Sequence, residues 1–283
     1  MKRNAIVRII IYIVLILVLA GILLSGLKHD GFSRVTGDSN TITGSGSIDM
    51  SQVENIEIEW VSGSVDVTIA PETESKITFR ETNGEEHPMV YEIKGKTLVI
   101  HFTEPSINLS FGNFYTPDKD LIVVIPADWV CQSLDISAVS ADVKVLLPEA
   151  RDVEVENVSG KTELRLESSQ SISVENISGE VSFIGQCETF ECNSVSGDCN
   201  VYLSKDAKEI TLESVSGDLT VSLFKQYGFT ASIDSTSGNI YSDYSTTVSG
   251  GKHTYGDGNV RIEAETVSGD IFIRENRIEL TDS

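Results

Sequence analysis

A Ser-Gly dipeptide flanked by alternating apolar residues recurs along the chain, with its glycine at Gly63, Gly160, Gly179, Gly197, Gly217, Gly238 and Gly269. From Gly160 onward four successive intervals are 19, 18, 20 and 21 residues. A period of that length marks stacked supersecondary units, none of which can bury its apolar face alone. The position 19 residues before Gly160 is Ala141, in SAVSAD, where the pattern continues without its glycine.

Aligning the repeats on that corner gives columns. Seven residues before it stand Ile56, Leu134, Val153, Ile172, Phe190, Ile210, Ala231 and Ile262. Five before it stand Ile58, Ile136, Val155, Val174, Cys192, Leu212, Ile233 and Ala264. Two after it come Val65, Val143, Thr162, Val181, Cys199, Leu219, Ile240 and Ile271, and four after it the apolar column continues from Val67 to Ile273. The column two before the corner, Val61 through Val267, is also apolar and reads as core. Alternation on both sides of a fixed bend predicts two half-buried strands per repeat. Glycine suits the bend because it takes backbone angles closed to other residues, and the small polar residue three before it (Asn157, Asn176, Ser194, Ser214, Ser235) can bond to nearby backbone. The expected fold is all-β: a β-solenoid of strand-corner-strand rungs, each about 19 residues long, with rungs spaced ~4.8 Å along the axis.

At the amino terminus, residues 9–27 carry no charge and are mostly Ile, Leu and Val, close to the ~20 residues that cross a bilayer as a helix. Lys2, Arg3 and Arg8 precede them. The expectation is a cytoplasmic tail over 1–8, one transmembrane helix over 9–27 and an extracytoplasmic remainder, giving a single-pass protein of the cell membrane. A cleaved signal peptide is the rival reading. Residues 28–50, rich in Gly, Ser, Thr and Asp, read as a flexible tether or an imperfect first rung. The solenoid domain then covers 51–283. It is irregular at 70–130, where the spacing suggests rungs with longer turns, and at 241–260, which reads as an inserted hairpin or loop with Gly250 a possible further corner.

The net charge is −22, from 43 acidic and 21 basic residues, so nucleic acid is disfavoured as a partner. Acids form rows: Glu59, Glu156, Glu175, Glu213, Asp234 and Glu265 four before the corner, and Asp142, Glu180, Asp198, Asp218 and Asp270 one after it. A solvated face explains both. The sharper reading is a divalent cation held between rungs, with Glu175, Asp198, Glu213 and Asp218 as candidate ligands. A cationic peptide or an envelope polymer is a third use of the same charge. No metal or cofactor motif is present, and none is expected. Cys192 and Cys199 fall in core columns; buried thiols, a Cys187–Cys192 disulfide and a Cys192–Cys199 disulfide are all compatible with the spacing.

Catalytic signatures are missing: there is no phosphate-binding glycine loop, no H-E-x-x-H and no G-x-S-x-G. The repeated corner serines also argue against a nucleophile, because a catalytic residue is unique while a corner residue recurs. The segments ENVSGKTEL, ENISGEVSF, NSVSGDCNV, ESVSGDLTV and ETVSGDIFI resemble the bacterial β-strand-repeat family described as adhesin-like, a domain of unknown function. The likeness runs over roughly residues 50 to 280. It implies a β-solenoid at the bacterial envelope and brings no functional residues with it. The expected function is a non-enzymatic binding or scaffold element. The alternatives are an envelope-stress sensor working through a membrane regulatory protein and, third, a polysaccharide-active β-helix enzyme.

Overall fold

A computed structural model describes residues 41–70, 74–103, 118–205 and 207–276. Each repeat supplies two straight segments on opposite sides of one core, joined at the Ser-Gly corner. On the side before the corner, Phe190 pairs in parallel with Ile172 and Ile210. On the side after it, Phe183 pairs in parallel with Leu164 and Val201. The long strands Cys131–Ser159, Thr162–Ser178 and Val181–Ser196 run from one side of the stack to the other and so belong to both. Inward residues from both sides form a single apolar cluster.

Outside the Gly238 rung, the columns seven and five before the corner and two and four after it point inward, as the pleat requires: Ile172, Val174, Val181 and Phe183 are each at most 1% exposed. The column two before the corner does not, apart from Val61, which is buried in the core. Val139, Val158, Ile177, Val195, Val215 and Val267 are half-buried on the outer side of the bend, which corrects the core assignment made from their apolar character. The reason is parity: seven, five and three before the corner share one face of the strand, so the third position turns inward. There Asn157, Asn176, Ser194, Ser214 and Thr266 are buried. Several of them are satisfied at the corner backbone. Asn157 Nδ2 donates to the carbonyl of Ala141 (3.0 Å), Asn176 Nδ2 to that of Gly179 (2.7 Å), and Ser235 Oγ to that of Gly269 (3.0 Å). A polar side chain belongs there because the turn leaves carbonyls facing the interior.

Glycine at the corner answers to crowding between rungs. A Cβ on Gly179, where φ is +132°, would sit 2.0 Å from the Gly160 carbonyl oxygen, and every other corner glycine meets its neighbour's carbonyl at 1.9–2.2 Å. Ala141 escapes because its side chain joins the inward alternation with Val143 and Val145.

Those contacts also give the order of the stack. The corners follow Lys119, Gly63, Ala141, Gly160, Gly179, Gly197, Gly217, Gly269 and Gly238, nine parallel rungs among the described residues. Spatial order departs from chain order at both ends. The strands of the last rung, Val260–Thr266 and Ile271–Glu275, insert between the Gly217 and Gly238 rungs. Strand Asn55–Ile69 lies between an outer rung built from Thr97–His101 and Lys119–Ile125 and the Ala141 rung.

The region expected to hold further rungs with long turns holds one parallel rung and an antiparallel cap. Val90–Lys94 runs antiparallel to Thr97–His101 and is followed by Ile42–Thr43. On the other side, Lys76–Glu81 runs antiparallel to Lys119–Ile125 and is followed by Gly46–Asp49. Lys119 takes the corner place in its rung. Its fully buried ammonium donates to Thr103 O (3.0 Å) and His87 O, lies 3.4 Å from Glu81 and sits 4.3 Å above the Phe102 ring. At the opposite end the inserted segment is a hairpin, Thr247–Ser249 with Lys252–Tyr255, capping Phe229–Ser235. Gly250 makes its turn at φ +60° and is no corner of the solenoid. Phe229, Tyr244 and Tyr255 pack as an aromatic group beneath it. Antiparallel caps prevent an open parallel edge from templating another chain.

A fold that includes a transmembrane helix is not what the structure describes. It is all-β with one 3-10 turn at Met50–Gln52, and no helix among the described residues is long and apolar enough to cross a membrane. Residues 9–27, on which that expectation fell, lie outside the described residues, as do 1–8 and most of 28–50.

Candidate binding face

The outer surface of the side before the corner carries two columns of carboxylates, because strand alternation that buries positions seven, five and three turns six and four outward. Six before the corner stand Glu57, Asp135, Glu154, Glu191 and Glu263; four before it stand Glu59, Glu156, Glu175, Glu213, Glu265 and Asp234. Register brings them beside one another: Glu57 pairs with Asp135, Glu156 with Glu175, Glu213 with Glu265, and Glu265 with Asp234. The gaps are filled by Ser137, Ser173, Asn193, Thr211 and Ser232, so no basic residue interrupts either column between Gly63 and Gly238 rungs. Basic groups stand at the ends, His101 beside Glu59 and Lys252 beside Ser232.

Crowding like charges on a half-buried sheet surface favours the protonated acid. Burial, then repulsion from Glu154, Glu57, Glu156 and Glu59, pushes the Asp135 carboxyl up to about 6. Glu156 and Glu175 are also raised, by burial first and then by neighbouring glutamates. Glu59 is lowered instead, chiefly through its hydrogen bond with His101 Nδ1 at 2.7 Å.

Of the four residues expected to hold a cation, Glu175 and Glu213 lie on this face, two rungs apart with Asn193 between them. Asp198 and Asp218 lie in the other acidic row. There each carboxylate has a structural partner: the backbone N–H of Asp218 donates to Asp198 Oδ1 (2.8 Å), that of Asp270 to Asp218 Oδ1 (2.7 Å), and that of Asn239 to Asp270 Oδ1 (2.7 Å). This relay ties the Gly197, Gly217, Gly269 and Gly238 corners in succession and accounts for the aspartates at 198, 218 and 270. The four residues therefore do not converge. Among the described residues, the carboxylate oxygens that do converge belong to Glu213, Glu263 and Glu265, all within 4.8 Å of one another. An oxygen-liking divalent cation is the chemistry such a trio suits. Glu263 stands six before the corner, outside the two acidic rows that the corner spacing picks out; the same parity that places Glu265 outward places Glu263 beside it.

Fold and face together define an acidic-faced, β-solenoid-like protein. The chain belongs to the Toastrack DUF4097 family, whose model matches residues 53–186 and again 152–274. Among solved structures it is similar to a provisionally named adhesin from Bacteroides fragilis, at 15% identity over 83% of this chain and 98% of that one, with a TM-score of 0.49. It is also similar to a provisionally named cell adhesion protein from Clostridium sporogenes (15% identity, 83% and 100% covered, TM-score 0.40) and to a provisionally named lipid-binding protein from Parabacteroides distasonis (14% identity, 85% and 96% covered, TM-score 0.36). No curated protein matches the chain.

Proposed function

We propose that the chain is a non-enzymatic binding element whose carboxylate face holds an extended cationic partner, a peptide or polymer lying across the rungs. The observation that carries this reading is that every rung from Gly63 to Gly238 places at least one carboxylate in these two columns, held in register by the sheet. Burial first and repulsion from neighbouring carboxylates second raise Asp135, Glu156 and Glu175; a partner that brought positive charge would offset the repulsive part, so binding and face are electrostatically complementary. The location at the cell envelope belongs to the same proposal and rests on the sequence resemblance.

The test is titration of the full chain with a lysine homopolymer at several salt concentrations, beside a variant carrying Glu154→Gln, Glu156→Gln and Glu175→Gln. The expected result is salt-sensitive binding that weakens at least tenfold in the variant. Equal binding by both chains would move the partner off this face.

A further inference from the structure

We propose that Cys192 and Cys199 are joined by a disulfide across the Ser196-Gly197 corner. Both belong to inward columns, five before and two after the corner, and both are 0% exposed. In neighbouring rungs the same two positions are Val174 with Val181 and Leu212 with Leu219, which register places directly beside the cysteines. Of the aligned rungs, only the Gly197 rung has cysteine in both columns. Both thiols are free and buried in the structure, and the two side chains are near enough to act on each other electrostatically. The other two cysteines have different surroundings. The Cys131 thiol donates to its own strand at Ser133 O (3.2 Å), and Cys187 sits at the irregular step where the strand changes side, opposite Ser169. Of the pairings the spacing allows, the fold brings together this one.

Enclosure sets when the bond can form. The thiolate is the attacking species, and burial pushes the Cys199 thiol far up, so the folded, reduced chain reacts slowly. Closure therefore precedes burial of the rung. With a disulfide oxidant such as glutathione disulfide, one cysteine thiolate attacks a glutathione sulfur, forms a mixed disulfide and expels glutathione thiolate. The second cysteine, giving up its proton, attacks the protein sulfur of that mixed disulfide and expels the second glutathione. Two protein thiols are oxidised by two electrons and one glutathione disulfide is reduced to two thiols. The closed ring shortens the loops open to the unfolded chain, so the bridged protein melts at a higher temperature.

The experiment refolds the reduced full chain in a mixture of reduced and oxidised glutathione, and in parallel in reduced glutathione alone. Each sample is then denatured, alkylated and mapped by peptide mass. The expected result is a folded chain in which Cys131 and Cys187 carry label while Cys192 and Cys199 are unlabelled and linked. Its melting midpoint should lie above that of the reduced chain, and the gap should vanish in Cys199→Ala. The same oxidant added after folding should leave all four cysteines free to be labelled. The proposal is overturned if the chain regains its strand content with Cys192 and Cys199 both labelled, or with either linked to another cysteine. It is overturned equally if the linked chain fails to fold while Cys192→Ser with Cys199→Ser folds.

Discussion

The middle of the stack and its two ends are built from the same repeat, yet they obey different rules. From Ala141 to Gly217 each rung follows the previous one in the chain and touches it in space, so a column read down the sequence is a column in the core. At the ends the chain leaves a rung, builds a cap and returns to fill a place further in. Column identity then no longer fixes burial. Val181 and Ile240 occupy the same position two after the corner, but Val181 is 0% exposed and Ile240 is 43% exposed. The difference is the number of neighbours, two for a strand in the middle of the stack and one for Ile240–Ser242, which pairs with Ile271–Glu275 alone.

Removing residues 260–283 is the most severe way to test that contrast. The Gly238 rung touches the stack through Val260–Thr266 and Ile271–Glu275, so its strand Phe229–Ser235 should lose amide exchange protection while strands around Gly160 and Gly179 keep theirs. Unchanged protection at 229–235, or its loss throughout, would break the division between middle and end.

A charge placed in one column should also separate the two regions. Val181→Asp buries a carboxylate without a partner and is expected to cost roughly 3–5 kcal/mol, whereas Ile240→Asp should cost under about 1 kcal/mol. Denaturant unfolding of both variants decides it, and similar midpoints would mean that the Gly238 rung is as enclosed as the rest.

Corner glycines offer a smaller contrast. Gly179→Ala must displace the Gly160 carbonyl at a left-handed φ of +132°, with an expected cost of about 3 kcal/mol. At Gly95, in the turn of the amino-terminal cap, φ is +64° and nothing lies within 4 Å of an added Cβ, so the cost should stay near about 1 kcal/mol. Equal losses in thermal melts would show that inter-rung crowding is not what selects glycine.

The smallest effect sharpens the account of the acidic face. With its carboxyl raised to about 6, Asp135 keeps its proton in the folded chain at pH values where the unfolded chain has lost it. Folding takes up a proton in that window, so this group makes the protein more stable as the pH falls from 7 through about 6, and its contribution levels off near the ordinary value of about 4. Because the group is half-exposed, the effect is of the order of 1 kcal/mol. Asp135→Asn should gain about that much at pH 7 and little at pH 4.5. A loss of stability at pH 7 would show that the carboxylate is favourably held.

Pleat parity carried much of this structure from the sequence. Any reader of the alternation in ESVSGDLTV can place Glu213 outward, Leu212 and Leu219 inward and a bend at Gly217, because successive strand side chains must take opposite faces. The same rule, applied strictly, would have turned Val215 outward and Ser214 inward; apolar character misled there because hydrophobic residues also line the outer side of a bend. What composition and spacing could not reveal is which rungs are neighbours. That Gly269 stacks between Gly217 and Gly238, that Lys119 occupies a corner, that Glu263 joins Glu213 and Glu265, and that the aspartates after the glycines are engaged by the backbone of the next rung all depend on contacts between segments up to 56 residues apart, as Gly63 and Lys119 are. A period-2 pattern records which way each side chain faces. It holds no record of which strand edge it meets, since backbone hydrogen bonds between strands are alike for every residue, and only the packing of the whole stack selects one pairing.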